Sequence, residues 1–446
     1  MRNMGEKVLV IGAARSGLAG AEFLAKQGCQ VVLTDMKQAA QVDNLAELGV
    51  SFIWGEQPDV AAIKPDYIVM SPGVPLTIPP VKYAQEHGIP VIGELELAYR
   101  NCKAPFAAIT GTNGKTTTTT LIGELMKKTG RNVFVGGNIG VPIISYADQL
   151  QENDIVVAEV SSFQLETIDT FCPHLALMIN LTPDHLDRHG DMAGYLAAKA
   201  RIFENQKESD YLVLNYDDMA LRDLAPQSTG KVIFFSQQHK LEEGVYLDGE
   251  QVMLALDGQC ITICRADEIA IKGKHNLENA MGAIAFAYLS GVSPSDIREV
   301  LMTFQGVEHR LEPVRTRNDV LYINDSKGTN PDSTIKAIEA YNRPIVIILG
   351  GKNKGVPFTE LAQLVKKRVK KAVVVGQAKP EIIAALNEAD FHDYVEVDTF
   401  EETVSTAAGL AEPGDIVLLS PACTSWDMFS SFEERGKLFK ELVLAL

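Results

Sequence analysis

Short, wholly apolar runs that stop at glycine or proline recur along the 446-residue chain, and between them apolar residues return at helical spacing. The first run, Val8-Leu9-Val10-Ile11, breaks at Gly12. The pattern predicts buried strands over 7–11 and 30–35, joined by a helix from about Ser16 to Lys26 and a turn at Gly28. A further strand, Tyr67-Ile68-Val69-Met70, ends at Ser71-Pro72-Gly73. This is the rhythm of a small doubly wound α/β domain that closes near Gly93-Glu94, with its ligand crevice beyond the strand carboxyl ends. A second α/β domain follows, with strands at 133–135, 155–159, 175–180 and 211–214, β-rich segments over 230–271, and an alanine-rich helix from Gly273-Lys274-His275-Asn276 to about Ser290. Beyond Phe304-Gln305-Gly306 the alternation restarts: a strand at 321–323, a helix over 333–341, and strands at 344–349, 372–375 and 415–419. The expected fold is α/β in three domains, over 1–94, 95–306 and 307–446.

The most informative stretch opens the second domain. Ala107-Ala108-Ile109-Thr110-Gly111-Thr112-Asn113-Gly114-Lys115-Thr116-Thr117 is an apolar strand running into a glycine-punctuated loop that ends in Lys-Thr. Such a loop aims backbone N–H groups at a phosphate, sits at a helix N-terminus, and supplies a lysine charge and a hydroxyl for Mg²⁺. The spacing departs from the common G-x-x-x-x-G-K-[ST] form, because Ile109 stands where the first glycine belongs. The order strand, loop, helix is nevertheless the one that binding a nucleoside triphosphate requires. Of the threonine run Thr116 to Thr120, only Thr116 has an obvious task; the rest are β-branched residues of modest helix propensity that need tertiary support.

In the first domain, Gly12-Ala13-Ala14-Arg15-Ser16-Gly17 follows a strand, and Asp35 ends the second strand where it could meet a ribose hydroxyl. Ala14 replaces the glycine that lets the backbone approach a dinucleotide pyrophosphate, which argues against NAD. A nucleoside diphosphate at the same helix N-terminus, with Arg15 and Ser16 adding donors, fits the residues better than a bare strand-helix turn. Ser71-Pro72-Gly73 would form a second wall of that crevice.

Composition narrows the partners. Lys and Arg total 41 against 58 Asp and Glu, a formal charge of −17 that disfavours nucleic-acid and anionic-membrane surfaces. No apolar run reaches the ~18 residues of a membrane span, and the N-terminal run is too short for a signal peptide. The six cysteines are scattered and complete no zinc pattern; Cys260 and Cys264 are expected to flank a strand or turn. A reduced, cytoplasmic enzyme acting on small molecules is the expectation.

Downstream of the phosphate loop, the strand over 155–159 ends in Glu159, a carboxylate placed to serve Mg²⁺. Another strand leads into Asn180-Leu181-Thr182-Pro183-Asp184-His185-Leu186-Asp187-Arg188-His189, a loop dense in polar ligands. Lys199 lies in the apolar helical stretch Ala197-Ala198-Lys199-Ala200, either snorkelling at the surface or serving the site. A regulatory nucleotide-binding module would leave this metal-site order unexplained.

Thr110 to Thr117, Gly137-Asn138-Ile139-Gly140, Glu159-Val160-Ser161-Ser162-Phe163-Gln164-Leu165, Asp184-His185-Leu186-Asp187-Arg188, Lys199 and Gly273-Lys274-His275-Asn276-x-x-Asn279 together resemble the Mur ligase superfamily of ATP-dependent amide ligases. Asn324-Asp325-Ser326-Lys327-Gly328-Thr329-Asn330-Pro331 and Ser420-Pro421-Ala422-Cys423-Thr424-Ser425-Trp426-Asp427 resemble its D-glutamate-adding branch. The likeness runs in order along essentially the whole chain. Gly328 stands where that pattern often has Ala, and Trp426 where it often has Leu.

The resemblance implies a Rossmann-like UDP-binding domain, a central P-loop ATPase domain and a Rossmann-like amino-acid domain, acting in peptidoglycan precursor synthesis; a self-contained three-domain chain makes a monomer the default expectation. It implies ATP, two Mg²⁺ sites and a reaction that joins D-glutamate to UDP-N-acetylmuramoyl-L-alanine through an acyl phosphate. Lys115 would span the β- and γ-phosphates within the loop Gly111, Thr112, Asn113, Gly114, Thr116 and Thr117. Thr116 and Glu159 would hold one ion, His185 and a carbamylated Lys199 the other. Asn279, Arg310 and Asp325 would surround ATP, with Arg310 stabilising transferred charge. Arg15, Ser16, Gly17, Asp35, Gly73 and Asn138 would bind the UDP substrate. Thr329, Lys354, Ser425 and Phe432 would bind D-glutamate, although Lys352 competes with Lys354 for that place. A sibling ligase adding another amino acid is the nearest alternative.

Overall fold

Three sheets carry the chain in the computed structural model, which describes residues 5–39 and 42–446. The first comprises β1 (Lys7–Ile11), β2 (Gln30–Asp35), β3 (Ser51–Trp54), β4 (Tyr67–Met70) and β5 (Val91–Gly93), all parallel in the order β3-β2-β1-β4-β5. Its strands read as continuous apolar runs because both faces are covered. Leu9, Ile11, Ile68 and Met70 pack on one side, while Val8, Val10, Val31 and Leu33 pack on the other. The chain turns from β1 to β2 and β3, then returns to β4 on the opposite side of β1. That reversal opens a crevice at the end of β1.

The second sheet comprises β6 (Phe106–Thr110), β7 (Val133–Gly137), β8 (Ile155–Glu159), β9 (Leu175–Met178), β10 (Tyr211–Asn215), β11 (Lys231–Ser236), β12 (Gly244–Asp248), β13 (Gln251–Leu256) and β14 (Gln259–Arg265), in the order β14-β13-β12-β11-β10-β9-β6-β8-β7. The last three strands run antiparallel to one another. Cys260 and Cys264 both lie inside β14 rather than flanking it, the first exposed and the second buried. Strand β6 lies between β8 and β9, with Ile109 opposite Glu159 and Thr110 opposite Met178. The reversal of strand order at β6 therefore places the phosphate loop between the ends of two neighbouring strands.

The third sheet is β15 (Glu312–Arg317), β16 (Val320–Asn324), β17 (Ile345–Gly350), β18 (Val369–Val375), β19 (Tyr394–Glu396) and β20 (Ile416–Leu419), in the order β15-β16-β20-β17-β18-β19. Only β15 is antiparallel to its neighbour. Contacts divide the chain into two compact units, Met1–Glu268 with Glu278–Val300 and Ile269–Leu277 with Leu301–Leu446. Among the described residues no helix is long and apolar enough to cross a membrane.

Candidate active site

The phosphate loop is held by its neighbours in the second sheet. The Asn180 side-chain oxygen, two residues beyond β9, accepts the Asn113 N–H at 2.9 Å and the Thr112 N–H at 3.2 Å. Thr112 Oγ1 in turn donates to the Thr182 carbonyl at 3.1 Å. Gly114 closes the loop at φ 81°, and a Cβ there would meet Asn279 Oδ1 at 2.2 Å. Glycine is thus required both by the left-handed backbone and by the approach of Asn279. The helix Lys115–Lys127 then begins, its N–H groups facing the loop. Thr116, Thr117, Thr118 and Thr119 are all buried, so packing supplies what helix propensity lacks.

Two lysines converge on one carbonyl. Lys115 Nζ donates to Gly111 O at 2.9 Å and Thr112 O at 2.7 Å, and Lys199 Nζ donates to the same Gly111 O at 2.7 Å. Lys199 is 1% exposed, on the helix Met192–Ala200, with its Nζ 4.7 Å from the Tyr195 ring centroid. It is no snorkelling surface residue. Burial holds its pKa well below the ordinary lysine value, and the charge of Lys115 pushes the same way against Asp184 and Glu159. Such a group favours the neutral amine.

Glu159 is 2% exposed at the end of β8. Its Oε1 accepts from Asn138 Nδ2 at 2.8 Å, whereas Oε2 is buried with no hydrogen-bond partner. A buried carboxylate oxygen without a donor suits a cation. Among the described residues no group of three or more His, Cys, Asp or Glu converges. A bound ion would accordingly depend on hydroxyl, carbamate or phosphate oxygens as well. His185 adopts φ 53° at the start of the helical turn Leu186–His189, with Nε2 3.5 Å from Asp184 Oδ2 and its ring edge-to-face with Phe163.

A cleft of about 420 Å³ is lined by Arg15, Ser16, Asp35, Gly73 and Asn138, so five of the six expected UDP-substrate residues share one cavity. Gly17 does not line the cavity itself: a Cβ there would meet Gly12 O at 1.8 Å and Ser71 Oγ at 2.7 Å, both residues of its wall, so the missing side chain lets helix pack closely on strand behind the cleft. The Asp35 carboxylate accepts the Ala13 N–H at 2.7 Å and shapes the loop from within. Ser71 also lines the cleft and donates to Gly12 O at 3.0 Å. Gln164, Pro142 and Val74 complete the wall without having been singled out as ligands. Gln164 belongs to a capping box with Ser161, a role its neighbours in sequence could have signalled.

In the second unit, Asp325 is buried; its carboxyl accepts from Ser420 Oγ at 2.7 Å and the Leu311 N–H at 3.2 Å. Burial pushes its pKa up to about 6 against the pull of Arg310. Arg310 Nε is itself buried without a hydrogen-bond partner, and His309 and Leu311 on either side have φ of 65° and 44°. Of the expected D-glutamate residues, Ser425 is buried with an unpartnered hydroxyl, Thr329 and Phe432 are half-buried, and Lys354 is exposed, as is Lys352. Sequence reasoning missed Arg435, which is 1% exposed and donates to Ser326 and to the Cys423 carbonyl. It ties the two signature loops together from a helix with no periodic anomaly to betray it.

Residues 6–93 match the MurD-like N-terminal domain of Mur ligases, 109–287 the Mur ligase middle domain, and 309–423 the glutamate ligase domain of Mur ligases. Three α/β domains of the Mur ligase type are thereby defined. The chain is 52% identical to the UDP-N-acetylmuramoylalanine--D-glutamate ligase of Pelotomaculum thermopropionicum, over 99% of this chain and 98% of that protein. It is 46% identical to the enzyme of the same name from Thermoanaerobacter sp. strain X514, with both chains covered in full. The chain belongs to the Mur ligase family, in its branch of UDP-N-acetylmuramoylalanine--D-glutamate ligases. The fold is also that of MurC from Thermotoga maritima, with a TM-score of 0.62 at 18% identity over 99% of each chain. MurF from Acinetobacter baumannii gives 0.63 at 17% identity, over 97% of this chain and 93% of that one.

Proposed function

We propose that this ATP-using ligase joins D-glutamate to UDP-N-acetylmuramoyl-L-alanine in two steps. The substrate carboxylate attacks the γ-phosphorus of ATP, ADP leaves, and an acyl phosphate forms. The D-glutamate amine then attacks the acyl carbon, inorganic phosphate leaves, and the amine gives up a proton as the amide forms. The observation that carries this reading is the pair Lys115 and Lys199 on one loop carbonyl beside the buried, unpartnered oxygen of Glu159.

The residues divide the work by their chemistry. Lys115, with Gly111, Thr112, Asn113, Gly114, Thr116 and Thr117, cradles the triphosphate, and Asn279, Arg310 and Asp325 serve the nucleotide. Arg310 offers a guanidinium for charge on the transferring group. Thr116 and Glu159 would hold one Mg²⁺, and His185 with Lys199 a second, where such ions neutralise phosphate charge and orient the carboxylate. Lys199 supports that assignment as a carbamate: its neutral amine adds to CO₂, a N–C bond forms, and one proton is released. The cleft at Arg15, Ser16, Asp35, Gly73 and Asn138 takes the nucleotide-sugar, while Gly17 shapes its floor. Thr329, Lys354, Ser425 and Phe432 take D-glutamate. The enzyme acts as a cytoplasmic monomer.

The test is oxygen transfer. With ¹⁸O in the substrate carboxylate, the acyl-phosphate route puts label into the released phosphate; unlabelled phosphate alongside a labelled leaving group elsewhere would refute it.

A further inference from the structure

Arg188 lies three residues after His185 and joins three parts of the first unit. Its Nε donates to both carboxylate oxygens of Glu166, at 3.2 and 3.1 Å, and its Nη2 adds a further bond to the same group. The guanidinium carbon stands 4.3 Å from the Phe163 ring centroid. Nη2 also donates to the Val74 carbonyl at 3.2 Å. Val74 lines the cleft directly after Ser71-Pro72-Gly73, as does Gln164, the residue following Phe163. Phe163 in turn meets the His185 ring edge-to-face with centroids 4.7 Å apart. The side chains of Arg188 and Glu166 are only 16% and 15% exposed, so the pair is not a solvated surface bridge.

We propose that Arg188 is a positioning residue, which ties the first domain's wall of the cleft to the loop carrying His185. One planar fork fixes Glu166, stacks on Phe163 and holds Val74, three demands that a lysine cannot meet together. Seating of the nucleotide-sugar and placement of its reacting end are then set by the same side chain. The inference rests on the cleft being the nucleotide-sugar site.

The experiment is calorimetric binding of UDP-N-acetylmuramoyl-L-alanine to the wild-type chain, Arg188→Ala and Arg188→Lys, with steady-state kinetics alongside. Arg188→Ala is expected to weaken that binding about tenfold and to lower kcat, with KM for ATP within about twofold of wild type. Added guanidinium should restore part of both losses, and Arg188→Lys should fall between. Unchanged affinity and kcat in Arg188→Ala would overturn the proposal, as would equal losses for ATP and nucleotide-sugar with no guanidinium rescue. If Arg188→Ala does not fold, wild-type affinity in Arg188→Lys is the contrary result. A wild-type chain that binds no nucleotide-sugar would refute the cleft assignment instead, and this role with it.

Discussion

The phosphate loop and the residues proposed to bind D-glutamate differ in how completely the fold fixes them. Around Gly111, two lysines, Asn180 and Asn279 are locked by hydrogen bonds and packing, and Lys199 is almost wholly buried. In the second unit, buried Ser425 stands with an unpartnered hydroxyl while both candidate lysines are exposed. Phosphoryl transfer is helped by charges that need no reorganisation, so its site is paid for during folding. Recognition of a small amino acid asks for less: a few groups on loops can order as it binds.

The comparison breaks most easily at its rigid end. Lys115→Ala and Lys199→Ala should each lower kcat about 10²- to 10³-fold. A small added carboxylate should partly rescue only the Lys199 variant, and an unimpaired Lys199→Ala enzyme would dismiss the carbamate. Gly114→Ala should follow, with poorer ATP use and a loss of about 1–3 kcal/mol in unfolding experiments, because both φ and Asn279 exclude a Cβ. At the adaptable end, Lys354→Ala should raise KM for D-glutamate about tenfold with kcat for saturating substrate largely kept. If Lys352→Ala does so instead, the charge partner is the other lysine.

The smallest expected effect concerns Glu94, on the helix Glu94–Asn101. It is fully buried, and its Oε1 accepts the Ile144 N–H at 2.9 Å. Burial raises its pKa from 4.5 to about 7. A folded-state pKa above the unfolded one means that its contribution is whole below pH 4.5 and is lost as pH rises through 7. Relative to wild type, Glu94→Gln should therefore gain about 1–3 kcal/mol of stability between pH 4 and pH 8. Melting curves at the two pH values check this; a constant difference would show that the Glu94 pKa is the same in the folded and unfolded chain.

Much of the fold could be read in advance where apolar runs are unbroken. Strands 7–11, 30–35, 67–70 and 155–159 fall where the pattern put them. β15 could not be read, since Glu312-Pro313-Val314-Arg315-Thr316-Arg317 is polar on both sides and sits at a sheet edge. Residues of the phosphate loop announced themselves because one contiguous segment contains them. Glu159 stood out as a carboxylate at a strand end, Lys199 needed the resemblance, and Asn180, Arg188 and Arg435 act through partners far away in sequence. A single sequence carries no signal for such pairings.

The measurement closest to the central claim is ¹³C NMR of the wild-type chain and Lys199→Ala in ¹³C-labelled bicarbonate. A carbamate carbon resonance present in wild type and missing in the variant is the result expected of a buried Lys199 whose pKa burial holds down. No such resonance, in an enzyme that keeps full activity in CO₂-free buffer, would contradict it.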